Sequence, residues 1–149
     1  DSWKMQQRHM LPYDAELSRR KSALISASVL ANRFPPYSVI GGLYDALTES
    51  HGDVMTVGND EGHLASHLFR STEGIDIAPA ASIAVASLIK AVKTGVVDAD
   101  QTILLNVTGG GEGLFKESHN TSIMRPNHIF NIDAQLSDIE PVVRRLFNK

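Results

Sequence analysis

Thr108, followed by Gly109, Gly110 and Gly111, closes the run TILLNVTGGGEG at residues 102–113, and here the sequence offers chemistry. A hydroxyl can hydrogen-bond the edge of a ligand, and three bare glycines let that ligand approach the backbone closely. Residues 102–107 have the apolar, β-branched content of a buried strand. In α/β folds, ligands bind outside the carboxyl ends of such strands. The competing account is a plain glycine turn after a core strand. A nucleotide loop fits less well, because the run lacks Gly-x-Gly-x-x-Gly spacing and no Lys-Ser/Thr pair follows it.

A second group is Arg33, Tyr37 and Ser38, which flank Pro35 and Pro36. One guanidinium and two hydroxyls suit a phosphate or sulfite oxyanion through charge-assisted bonds. They equally suit a capped, exposed turn. His63 and His67 have the i, i+4 spacing of a metal pair, but Leu64 stands where a zinc protease needs glutamate and no third ligand is evident. Asn106 and Asn120 head glycosylation-type triplets, without a secretion signal to support their use. Trp3 reads as a packing anchor. His119 and Glu112 lie near the glycines without a definable role.

The elements that must hold these groups alternate between helix and short strand. Residues 2–9 predict a short helix, closed by Leu11 and Pro12. Asp14 is placed to cap a second helix reaching Asn32, with Leu17, Leu24 and Ala31 on one face. The Pro-Pro turn ends it, and a helix over 38–48 follows, with Gly41 and Gly42 allowing close packing. Residues 53–57 predict a strand, and Asn59 a cap for a helix to Arg70 that buries Leu64, Ala65 and Leu68. After an extended segment at 75–77, Pro79 opens a helix to Thr94, closed by Gly95. Its run of small and apolar residues predicts burial beneath a sheet or a flat ligand. Strands at 102–107 and 129–132 and a helix over 137–147 complete an α/β pattern with a parallel sheet flanked by helices. Three parts follow: 1–52, helical with the Pro-Pro turn; 53–113, with the ligand-facing strand end; and 114–149, a tail with a helix.

The 149 residues, 42% hydrophobic, provide for a core. A net charge of −3 and the absence of a basic patch give no reason to invoke nucleic acid, and Arg19, Arg20 and Lys21 read as a solvated helix face. With no cysteine there is no disulfide, thiolate metal site or thiol nucleophile. No apolar run has membrane-spanning length, which predicts a cytoplasmic protein. The opening residues look like mid-protein sequence, which predicts a piece of a longer chain.

The stretches EGIDIAPAAS at 73–82 and ILLNVTGGG at 103–111 resemble the C-terminal section of threonine synthase-like enzymes, which use pyridoxal 5'-phosphate and have the tryptophan synthase β-subunit fold (fold type II). The run NRFPPYSVIGGLYDAL at 32–47 is similar to the cysteate synthase branch, and the resemblance covers roughly residues 2–113. It implies an enzyme nearly three times this long. The earlier part would hold the Schiff-base lysine, an asparagine-bearing loop and the phosphate cradle. None of these motifs is present, and none of the six lysines has a nucleophile's context, so this chain alone is expected to be inactive. In the family a hydroxyl at the end of the late strand bonds the pyridine nitrogen, and the matching residue is Thr108, with Gly109, Gly110 and Gly111 along the ring edge. The implied reaction joins O-phospho-L-serine and sulfite to give L-cysteate for coenzyme M biosynthesis, with a homodimer left open. Threonine synthases carry glutamate before the proline, where this sequence has Ala78. Two alternatives stay open: a threonine synthase-like phosphate lyase, and a non-catalytic small-ligand or regulatory module.

Overall fold

The computed structural model describes residues 1–147 apart from Arg33, Ala99 and Ile123. It divides into two compact units, Asp1–Ser118 and His119–Lys149. The first holds helices α1 (Ala15–Ser22), α2 (Leu43–Ser50), α3 (Asn59–Glu73), α4 (Pro79–Lys93) and α5 (Glu112–Ser118). The second holds α6 (Leu136–Phe147), which carries Pro141 within it.

Local signals set several helix ends. The Asp14 carboxylate accepts from the N–H groups of Glu16 and Leu17, both at 2.9 Å, and so caps α1. Pro79 opens α4, and Gly95 follows it in the left-handed region at φ 70°. Gly58 rather than Asn59 is the N-cap of α3, and Glu61 accepts from the Gly58 N–H at 2.7 Å.

Other expectations are corrected. Residues 2–6 form turns instead of a helix, with the Trp3 indole donating to Asp53 at 2.8 Å and meeting Tyr44 edge-on. α1 stops at Ser22 because the Asn59 side chain takes the backbone beyond it. It donates to the Leu24 carbonyl (2.7 Å) and accepts from Ser26 N–H (3.1 Å), groups a continuing helix would need. α2 begins at Leu43, not Ser38, because Gly42 is folded against the Pro-Pro turn. A Cβ there would stand 2.3 Å from the Pro36 carbonyl oxygen.

The core of the first unit is the α3–α4 seam. Ala65, Ala81, Val85 and Ala86 are buried with Ile77, and Val57, Phe69, Ile89 and Leu105 pack against them. Small residues let the two helices approach closely; a Cβ on Gly62 would already stand 3.0 Å from Ile83 Cδ1. Leu64 and Leu68, expected in this core, instead line an open groove of ≈ 340 Å³ with Ile89 and Lys90. Because Ala65 is only 1% exposed, Ala65→Leu should overfill the seam and lower unfolding stability by about 1–3 kcal/mol. A urea midpoint equal to that of the parent protein would show that the seam is looser than this packing implies.

The expected strands at 53–57, 102–107 and 129–132 do not form a ladder among the described residues. The one β-type contact there is an isolated antiparallel bridge between Ile77 and Gly110. Strand character in sequence is a capacity for pairing, and a strand exists only where a neighbour takes its N–H and C=O groups. These segments find no such neighbour within the described chain.

Candidate functional site

The glycine run is built onto residues 76–78. Ala78 N–H donates to the Gly109 carbonyl at 2.9 Å, and Gly111 N–H donates to the Asp76 carbonyl at 2.7 Å. Between these bonds the two backbones are pressed together. A Cβ on Gly110 would lie 2.3 Å from the Asp76 carbonyl oxygen and 2.8 Å from Ile77 Cα. Gly111 has φ 77°, which favours glycine. Gly110 and Gly111 are therefore explained by the chain's own turn. Gly109 is less constrained, since a Cβ there meets Ala78 at an ordinary 3.4 Å.

Just past the turn, the Asp76 carboxylate accepts from Gly113 N–H (2.8 Å) and Leu114 N–H (2.9 Å), the first turn of α5. These bonds, with the nearby Arg70 charge, hold Asp76 below the usual carboxylate range. Its contribution to the turn is thus present above the ordinary aspartate pKa and lost as pH falls through the depressed value. Arg70 in turn grips both oxygens of Glu117 at 2.8 and 3.0 Å, tying the last turn of α3 to α5. Neither α5 nor Asp76 was expected from sequence. The signal was present in a charged residue centred in the apolar triplet at 75–77, set to face away from Ile77.

Thr108 stands outward. Leu105 packs on the core, and Val107 and Gly109 line a hollow of ≈ 240 Å³ with Phe69 and Ile77. Leu104, Asn106 and Thr108 are exposed, Leu104 at 97%, and so are Ile103 and Val107. The segment thus leaves apolar side chains and the Thr108 residue exposed among the described residues.

The second candidate group does not assemble as one site. Arg33 lies outside the described residues. Tyr37 is buried, its hydroxyl donating to the Gln7 carbonyl at 2.9 Å and its ring edge-on to Tyr44, so that oxygen already has a backbone partner. Burial holds its phenol above the usual range. Ser38 is half-buried. Lys90 donates to the Thr56 carbonyl (2.8 Å) and Lys116 pairs with Glu112. His63 and His67 are exposed, and no cluster of three or more metal-type side chains occurs among the described residues. No described helix is long and apolar enough to cross a membrane.

Comparison with known proteins finds several cysteate synthases. The chain is 42% identical over 127 residues to the cysteate synthase of Methanosarcina barkeri, covering 85% of this chain and 30% of that protein. With the cysteate synthase of Methanosarcina acetivorans it shares 41% over 142 residues, 94% and 34% of the two chains. With that of Methanoculleus marisnigri it shares 48% over 114 residues, 74% and 26%. The chain belongs with the cysteate synthase-like enzymes and spans about a third of their length. The similarity reaches into the tail, beyond the residues that carry the resemblance in sequence. No protein-family model matches the chain, and no solved structure matches it significantly.

Proposed function

We propose that this chain is the C-terminal part of a pyridoxal-phosphate-dependent β-replacement enzyme that converts O-phospho-L-serine and sulfite to L-cysteate and phosphate. What supports it most is an outward hydroxyl, Thr108, at an uncovered strand-like end, in a chain that matches cysteate synthases over most of its length. The fit to the cofactor is to one edge. Thr108 would hold the pyridine nitrogen, and Gly109, the least constrained of the three glycines, would lie beside the ring. The bound cofactor supplies an electron sink for the substrate's α-carbon. Thr108, a neutral group, would leave the ring nitrogen largely unprotonated, whereas a carboxylate would favour the protonated ring. A less electron-demanding ring suits replacement at the β-carbon, where phosphate is a good leaving group.

The remainder of such an enzyme would bring the Schiff-base lysine, the phosphate cradle and the neighbouring strands. Residues 53–57 and 102–107 are then strands of a parallel sheet completed by that part. The exposure of Ile103 (46%) and Leu104 (97%) is what strand residues awaiting a cover would show. Arg33, on sequence alone, and Ser38 are the proposed oxyanion contacts. Tyr37 is better placed in a packing role. A cytoplasmic location accords with soluble metabolic substrates. Ala78, where threonine synthases have glutamate, weighs against the threonine synthase-like alternative.

The test uses the complete native protein that carries this sequence. It should bind pyridoxal 5'-phosphate with a visible absorbance band and release phosphate from O-phospho-L-serine only when sulfite is consumed. The 149-residue chain by itself should show neither. Phosphate release without sulfite uptake would make the protein a lyase, and an absence of any band would favour a regulatory module.

A further inference from the structure

We infer that Asp76 is the positioning residue of the proposed pocket, its carboxylate and carbonyl together locking residues 109–114 and so setting where the Thr108 hydroxyl stands. The inference rests on the cofactor reading above for its last step only. Of the four hydrogen bonds that fasten the turn to residues 76–78, three end on this one residue: from Gly111 N–H to its carbonyl, and from Gly113 and Leu114 N–H to its two carboxylate oxygens. The fourth, from Ala78 to Gly109, lies next to Thr108 itself. Gly110 is in backbone contact with Asp76 and Ile77, and a Cβ on Gly113 would stand 3.1 Å from the carboxylate, so the turn has little room to slide. The far end of α5 is held by the Arg70–Glu117 fork. A segment of glycines, floppy by composition, is thereby fixed at both ends.

Chemistry makes the carboxylate hard to replace. Two N–H groups converge on it, and an ionised carboxylate accepts both without turning a donor toward either. An amide of the same shape keeps one acceptor and sets its NH₂ against the other N–H. Asp76 and Ala78 both face the glycine segment, so this chain carries its carboxylate two residues before the position where threonine synthases carry glutamate.

Asp76→Asn and the milder capping replacement Asp76→Ser are tested in the complete protein. Amide exchange is first measured on the cofactor-free form. Peptides covering 109–114 should exchange about tenfold faster in Asp76→Asn, with α4 unchanged, as expected for loss of a charge-assisted bond. Titration with pyridoxal 5'-phosphate should give a Kd raised about tenfold and a shifted absorbance band, with Asp76→Ser between Asn and the parent. Unchanged exchange at 109–114 overturns the lock. Faster exchange with the same Kd and the same band overturns the positioning role. Should the parent protein bind no pyridoxal 5'-phosphate, the cofactor reading fails, and the exchange result alone still decides whether Asp76 holds the turn.

Discussion

Thr108→Asp should cut cysteate formation by the complete protein about a hundredfold, with a changed spectrum of the bound cofactor and no loss of folding stability. The stability half follows from position. Thr108 is exposed and hydrogen bonds to no described residue, so substitution removes no internal hydrogen bond and should move the unfolding free energy by less than about 0.5 kcal/mol. The activity half follows from charge. A carboxylate beside the pyridine nitrogen favours its protonated form, which changes the electron demand of the ring on which the proposed reaction depends. Thr108→Ser keeps the hydroxyl and should stay within a few-fold of the parent, roughly the cost of altering one methyl contact. Thr108→Val, isosteric but without the hydroxyl, should fall between the two. If all three variants retain the parent turnover and spectrum, Thr108 has no contact with the ring.

How much of this was legible in the sequence depended on how far away each element's partner lies. The Asp14 cap, the Pro79 start and the Gly95 stop involve neighbours within a turn, and each is where local chemistry puts it. The end of α1 was not legible, because the Asn59 amide that captures residues 24 and 26 lies 35 and 33 positions away. α5 was hidden for the same reason, since the carboxylate that caps its first turn is 37 positions upstream of Gly113. Leu64 and Leu68 have helical spacing that suits a core, yet the seam selects Ala65, because closely approaching helices have room there only for small side chains. The strand segments show the limit most plainly. Apolar, β-branched composition at 102–107 signals a strand, but the composition does not carry the neighbour that makes one. For the candidate site, the need for glycine in the run at 109–111 was legible, while the reason for Gly110 was not, since its partner is another stretch of backbone.

That reason for Gly110 carries the second large expectation. Gly110→Ala should lower unfolding stability by roughly 2–4 kcal/mol and weaken pyridoxal 5'-phosphate binding together with it. The new Cβ would fall 2.3 Å from the Asp76 carbonyl oxygen and 2.8 Å from Ile77 Cα, and both are main-chain atoms that no rotamer change can move aside. Relief requires residues 109–111 to lift off residues 76–78, which stretches the Ala78–Gly109 and Gly111–Asp76 hydrogen bonds on either side. Gly109→Ala is the matched control. It adds the same methyl one residue earlier, at 3.4 Å from the Ala78 side chain, so it should cost only a fraction of a kcal/mol. The comparison separates crowding from any general intolerance of alanine in the run, because the unfolded-chain entropy removed by the substitution is alike at both positions. Urea unfolding of the two variants measures the stability arm, and cofactor titration measures the binding arm. Equal midpoints for Gly110→Ala and Gly109→Ala would mean that the Ile77–Gly110 contact is not tight, and the route from Asp76 through the glycine run to Thr108 would lose its central link.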